Sequence, residues 1–406
     1  MGISLRSRLI FSCLLVTLPF ASARASTAHW VSTWVSAQQL TEPHNMPPAP
    51  GLAGQTLRQI VQPSLSGTRL RVSISNQYGE TPLVVASAGI ARSAGNSTLE
   101  ASSARALTFN GQSGVTVLPG ARLTSDALEF SVAAFENVAV SLQLTTVPEK
   151  LTGHPGSRTT SYLVPGDAVA ATTLKGAVGT DHWYVLAGID VLAPAETSAV
   201  VVIGDSITDG RGSTTNANDR WPNVLARRLH ARPDHAPVSV LNQGAGGGRV
   251  LRDGLGDSAL RRFDRDVLAV PGVRTVVVFK GVNDIGGAIG ARARGQATDV
   301  VGELILAYRE MAMRARSHGL RVLGATILPF EGSQYYTPES EADRQKVNTW
   351  IRESGEFDGV IDFDAIARDP AQPSRLRADV DGGDHLHPSA EGYRIMAEGI
   401  DLRLFN

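Results

Sequence analysis

Three short segments and one pair near the C-terminus carry residue types able to do chemistry together. Gly204-Asp205-Ser206-Ile207-Thr208-Asp209-Gly210 follows directly on the apolar run Ala199-Val200-Val201-Val202-Ile203. A serine so placed stands at the carboxyl end of a buried strand, where a nucleophile meets a ligand. The segment is not a Gly-x-Ser-x-Gly elbow, because Thr208 stands two residues after Ser206. A serine hydroxyl is unreactive until a neighbouring base takes its proton. Asp384-His385-Leu386-His387-Pro388 offers that base. An aspartate three residues before a histidine can curl back within one turn and accept the ring N–H. This fixes the tautomer and stabilises the imidazolium formed during attack. The spacing favours His387 over His385, which reads as a wall of the site or a solvated loop residue. Asp381, Asp384, His385 and His387 are also metal-ligand types. Nothing elsewhere in the chain complements them, so a metal is not expected.

Two more segments follow strand-like runs. Asn242-Gln243-Gly244-Ala245-Gly246-Gly247-Gly248 comes after 238–241, and its glycines let backbone N–H groups face a substrate unobstructed. A dinucleotide fingerprint does not fit. Arg249 stands where the third glycine belongs, and the segment begins at the second strand rather than the first. In Gly281-Val282-Asn283-Asp284, Asn283 can present a side-chain amide to a developing oxyanion.

The elements that must position these groups differ between the two halves. From about Ala199 onward strands and helices alternate. Strand-like runs lie at 238–241, 273–279, 322–328 and 360–363, and helices are expected at 220–230, along the stripe Val301, Leu304, Ile305, Tyr308, Met311, Ala312, Ala315, and at 389–400. Such alternation predicts an α/β domain over 197–406, a parallel sheet with helices on both faces. Residues 27–195 instead show short runs such as Leu70-Arg71-Val72-Ser73-Ile74-Ser75, with alternating polarity. Many short strands without a long amphipathic helix predict a mostly-β, sandwich or jelly-roll-like accessory domain. Val191 to Glu196 breaks the pattern and is expected to act as a hinge between the two.

Residues 1–25 read as an export signal. Arg6 and Arg8 precede an apolar run from Leu9 to Ala21, followed by small-residue cleavage patterns. The run is shorter than the roughly 20 residues that span a bilayer, so a secreted protein, extracellular or periplasmic, without stable membrane insertion is expected. Cys13, the one cysteine of the 406 residues, would leave with the signal, and disulfides and thiol chemistry with it. A formal net charge of −1 without like-charge blocks removes the electrostatic footprint of a nucleic-acid partner. Asn96-Ser97-Thr98 fits a glycosylation acceptor, on a short motif alone.

Taken together, Gly204-Asp205-Ser206, Asn242-x-Gly244-x-x-Gly247, Gly281-x-Asn283-Asp284 and Asp384-x-x-His387 resemble, in order, the four blocks of the SGNH (GDSL-type) hydrolase family. The resemblance covers roughly Ala199 to Ile400. It implies a three-layer α/β/α domain around a five-stranded, flavodoxin-like parallel sheet, an acyl-serine intermediate and no cofactor. By position it implies Ser206 as nucleophile, His387 as base, Asp384 as its partner, and an oxyanion hole from the Ser206 N–H, Gly247 and Asn283, with Asp205 in support. Ile207 stands for the leucine common after the serine, and Gly248 where Asn or Asp is frequent. The first half is similar, through Trp30-Val31-Ser32-Thr33-Trp34, to the β domain of some secreted bacterial relatives.

The expected activity is hydrolysis of short acyl esters, such as acetyl, on carbohydrate. A lipase or lysophospholipase-type acylhydrolase and a polysaccharide O-acetyltransferase using the same serine are the alternatives, so the partner is an acylated small molecule, carbohydrate or lipid. Trp34, Trp221, Tyr335, Tyr336 and Trp350 either stack on sugar rings or pack inside, and Phe330 to Thr337 either lines the site or closes over it.

Overall fold

A computed structural model describes Gly2 and residues 28–406. The export-signal reading and Cys13 lie outside the described residues. In the first half the main strands are β1 (His29–Val35), β2 (Gln55–Val61), β3 (Gly67–Ser75), β4 (Leu83–Gly95), β5 (Val138–Thr146) and β6 (Leu186–Ala193). All their pairings are antiparallel: β6 lies between β1 and β3 in one sheet, and β5 between β2 and β4 in another. Alternation in β3 buries Leu70, Val72 and Ile74 completely. The weaker alternation of β5 has a physical cause, since both of its faces are covered. Val138, Val140, Leu142 and Leu144 join the main core, Ala139 packs in a small cluster with Ile60, Ala91 and Leu99, and Ser141 accepts a hydrogen bond from the buried Arg58 at 2.9 Å.

The second half is a five-stranded parallel sheet of β7 (Ser198–Gly204), β8 (Val238–Gly244), β9 (Val273–Phe279), β10 (Arg321–Ala325) and β11 (Gly359–Ile361), in the order β8-β7-β9-β10-β11. Within this half that is order 2-1-3-4-5, the flavodoxin-like arrangement. The chain leaves β7 in one direction to form β8 and then crosses back to β9. Right-handed crossovers therefore place helices on both faces. α1 (Ser206–Asp209) and α2 (Trp221–His230) follow β7, α3 (Val282–Ala293) and α4 (Val300–Ser317) follow β9, α5 (Pro338–Glu353) follows β10, and α6 (Ala390–Glu398) ends the fold. α6 packs on α2, while α5 packs on α3 and α4. In α4 the buried stripe differs slightly from the expected one: Ala307 is buried, whereas Val301 and Ile305 are half-exposed.

Helix α3 is absent from the sequence reading, which stops at a turn after β9. Gly286, Gly287 and Gly290 lower its helical propensity by roughly 1 kcal/mol each relative to alanine. Packing overrides that cost, and one of these glycines proves necessary at the site below.

The two halves share one hydrophobic core. β1 packs beside β8, Ser32 N–H donates to the Pro271 carbonyl at 3.0 Å, and the hydroxyls of Ser64 and Ser239 meet at 2.7 Å. Four residues, 194–197, connect β6 to β7, and Thr197 N–H closes that turn on the Pro194 carbonyl at 3.0 Å.

Candidate active site

β7 delivers Ser206 to the carboxyl edge of the sheet, at its topological switch point. Asp205 caps α1, its side chain accepting from Ile207 N–H at 3.1 Å, and Gly210 ends the helix in a left-handed conformation. As the first helical residue, Ser206 keeps an N–H that has no acceptor within the helix. Its Oγ lies 2.8 Å from His387 Nε2. His387 Nδ1 lies 2.7 Å from Asp384 Oδ2, while Asp384 Oδ1 accepts from the backbone N–H of His387 at 2.8 Å and of Leu386 at 3.1 Å. Since Nδ1–H must donate to the carboxylate, Nε2 is the nitrogen left to accept the serine proton. His385, exposed on the rim, pairs with Asp381 at 2.5 Å and with neither Ser206 nor Asp384.

Burial opposes charge on Asp384, but the N–H groups of His387 and Leu386 and the His387 ring prevail and hold its pKa below the ordinary value. Burial lowers the pKa of His387 below its ordinary 6.5; Asp384 works against that shift, and the charges of Arg211 and Arg158 add to it. A base must be neutral to act, so activity rises as pH climbs through this pKa. The acid limb of kcat/KM is therefore expected to have its midpoint below pH 6.5. A stopped assay between pH 4 and 8 checks this, and a midpoint above 7 would contradict it.

Gly247 and Asn283, just beyond the ends of β8 and β9, line the same cleft as Ser206. Gly247 sits at φ 64°, a conformation that disfavours side chains, and a Cβ there would come within 2.6 Å of Leu255. Asn283, in the first turn of α3, donates through Nδ2 to the Gly248 carbonyl at 3.1 Å. Its Oδ1 accepts from the Tyr335 hydroxyl at 3.0 Å, which turns the amide nitrogen toward the glycine loop and the cleft. Tyr335 comes this close because Gly286 stands beneath it: a Cβ there would lie 2.6 Å from the ring. Asp284 anchors the glycine loop itself, accepting from Val250 N–H at 2.9 Å and Leu251 N–H at 3.1 Å.

Under the site lies a buried charge cluster. Lys280 Nζ donates to the Gly204 carbonyl at 2.8 Å. Burial pushes the Asp205 carboxyl up, with Lys280 partly offsetting it, and burial pushes the Lys280 ammonium down.

The cleft has a volume of about 640 Å³, and Ser206, Gly247, Asn283, Asp384 and His387 all line it. Of the five aromatic residues raised from the sequence, Tyr335 alone lines it. Trp221 is fully buried against Phe363, Trp34 packs edge-on against Trp183, Trp350 stacks on Tyr308, and Tyr336 packs against the core. The segment 330–337 is a wall of the cleft. Ser333 Oγ donates to the Phe330 carbonyl at 2.8 Å, and Ser340 Oγ, in the first turn of α5, donates to the Tyr335 carbonyl at 2.8 Å.

Residues 202–395 match the family model described as GDSL-like Lipase/Acylhydrolase. This region is a GDSL-like acylhydrolase domain. The chain accordingly carries a GDSL-family esterase/acylhydrolase domain, for which the family implies an ester substrate. Solved structures similar to the GDSL-like domain include a protein described as lipolytic, of the G-D-S-L family, from Desulfitobacterium hafniense (24% identity, 50% of this chain and 97% of that one, TM-score 0.38). A GDSL-like lipase from Bacteroides thetaiotaomicron (19%, 51% and 88%, 0.37) is another. A third is a catalytic mutant of an acetylxylan esterase from Geobacillus stearothermophilus (19%, 52% and 94%, 0.39). No curated protein matches the chain. Among the described residues no helix is long and apolar enough to cross a membrane.

Two residues of the β-rich half reach the GDSL-like domain's site, and sequence reasoning missed both. His154 Nε2 lies 3.0 Å from Asp209 Oδ1 at the end of α1, its Nδ1 lies 2.8 Å from the Ala37 carbonyl, and its ring stacks on Trp183. Arg158 lines the cleft with Ser206. No local motif marks either residue, because each meets its partner only through the packing of one half on the other.

Proposed function

We propose that the protein is an exported serine hydrolase that removes short acyl groups, such as acetyl, from carbohydrate. The observation that supports this reading best is the character of the cleft. Beside the Ser206–His387 pair its walls are polar or backbone, as in Ser333, Gln334, Gly246 and Gly383, with Leu255 and Leu386 the aliphatic side chains among them. A long acyl chain needs an apolar channel to offset its removal from a lipid phase, whereas an acetyl group and a hydroxylated alcohol do not.

Ser206 Oγ attacks the acyl carbon as His387 Nε2 takes its proton. Charge gathering on the carbonyl oxygen is met by the N–H groups of Ser206 and Gly247 and by the Asn283 amide. His387 passes the proton to the alcohol oxygen, the ester C–O bond breaks, and an acyl-serine remains. Water then gives a proton to His387 and attacks the same carbon, and Oγ leaves with that proton as the carboxylic acid departs. Asp205 supports the nucleophile by capping the turn that carries it.

The test is hydrolysis of p-nitrophenyl esters from acetate to palmitate by the wild type and Ser206→Ala side by side. Serine-dependent activity that falls steeply beyond short chains is expected. Undiminished activity on palmitate would overturn the short-acyl reading, and activity retained in Ser206→Ala would overturn the nucleophile. Recovery of the protein from the medium or periplasm of a producing cell, with the first residues removed, checks export.

A further inference from the structure

The cleft contains two cations that the ester chemistry does not use. Arg158 comes from the β-rich half, on the loop after Thr152–His154, and Arg211 from the turn after α1; both line the cavity that holds Ser206. Arg158 sits at φ 49°, a left-handed conformation that costs an arginine roughly 1–3 kcal/mol. It is held there from the GDSL-like domain. Asn216 N–H donates to the Arg158 carbonyl at 2.9 Å, while the Asn216 side chain accepts from Thr160 N–H at 2.8 Å and donates to Thr160 Oγ1 at 3.0 Å. Arg158 Nε is buried without a hydrogen-bond partner. Among the described residues neither guanidinium makes an ion pair or a side-chain hydrogen bond. The acids that line the cleft are already engaged, Asp209 by His154 and Asp384 by His387.

A buried N–H without an acceptor is costly, and two like charges in one cleft repel. A planar oxyanion in the cleft relieves that repulsion, and a guanidinium fork matches its two oxygens. The position of the pair says which part of a substrate carries that anion. Gly247 and Asn283 take the carbonyl oxygen, whereas Arg158 and Arg211 line the same cleft beside His387, the residue that protonates the departing alcohol, and so face the alcohol part.

We propose that Arg158 and Arg211 form a subsite for a carboxylate on the alcohol part of the substrate, which makes the substrate an acylated acidic saccharide and the β-rich half a determinant of specificity. This rests on the ester-hydrolase reading above.

The experiment compares kcat/KM of the full chain for matched acetyl esters of methyl galactoside, methyl galacturonate and a galactoside 6-phosphate. The wild type is expected to prefer the galacturonate over the neutral sugar by at least about tenfold, the scale of hydrogen bonds to a charged partner. Added salt should reduce that preference. The Arg158→Gln/Arg211→Gln double variant should bring the ratio near one and move the acid limb of the pH profile upward. Asp384 works to raise the His387 pKa and the two arginines to lower it, and the variant leaves Asp384 in place. Arg158→Lys, which keeps the charge but loses the fork, should retain part of the preference and guards against a folding artefact. A wild-type ratio of one, with Ser206-dependent cleavage of the neutral ester intact, overturns the subsite and leaves the hydrolase reading standing. A preference for the phosphate over the galacturonate overturns the carboxylate assignment. Cleavage of none of the three overturns the hydrolase reading and the subsite together.

Discussion

Replacing His387 by alanine is expected to lower kcat by a factor on the order of 10⁴–10⁶, with the folded state retained. The size follows from what the ring does alone. Ser206 Oγ has His387 Nε2 at 2.8 Å, and among the described residues no other histidine lies on that oxygen, since His385 is committed to Asp381. Without Nε2 the hydroxyl attacks as a neutral alcohol, and the departing alcohol receives no proton. Asp384→Asn is expected to cost less, on the order of 10²–10⁴. The backbone N–H bonds from His387 and Leu386 still hold the loop, but an amide can present its NH₂ to Nδ1 and so favour the wrong tautomer. Single-turnover rates on p-nitrophenyl acetate, with circular dichroism as the control for folding, decide this. A His387→Ala loss under a factor of ten would mean that another group deprotonates Ser206.

The second large effect is expected at Asn283. In the proposed mechanism its amide meets charge that exists in the transition state and is nearly absent from the bound ester. Asn283→Ala should therefore lower kcat by about 10²–10³ while KM changes little. Tyr335→Phe probes the same interaction from behind. It removes the hydroxyl that holds Asn283 Oδ1 at 3.0 Å but leaves the ring on Gly286 and the wall in place. A smaller loss, about tenfold, is expected in kcat, consistent with the free energy of one hydrogen bond. An effect of Tyr335→Phe on KM alone would assign the hydroxyl to substrate binding. An Asn283→Ala variant with unchanged kcat would remove the amide from the oxyanion hole.

The site was legible in the sequence wherever its logic is local. Asp384 and His387 stand three apart because a single turn of chain brings a carboxylate and a ring together, and Gly204-Asp205-Ser206 ends a run apolar enough to be recognised as a buried strand. Helix α3 was missed for the opposite reason. Its glycines contradict helical propensity, and the packing that overrides them seats Val282, Ile285 and Ala288 in the core and lays Tyr335, about fifty residues along the chain, over Gly286. Tyr335 itself was noticed as an aromatic residue in a loop. That its hydroxyl orients Asn283 depends on a meeting of α3 with the approach to α5 that no spacing encodes.

By itself the sequence determined the parallel α/β architecture of the second half, the β character of the first, and the identities of the groups gathered at the strand ends. These follow from hydrophobic periodicity and from motifs whose members are close neighbours. Tertiary structure alone decided that the two halves share a core, that His154 meets Asp209, and that Arg158 enters the cleft beside Ser206. Those contacts join residues from roughly fifty apart, as with His154 and Asp209, to 175 apart, as with Ser64 and Ser239, held by surfaces that become complementary only after each half has folded. Periodicity records which face of an element is buried, but not which other element buries it.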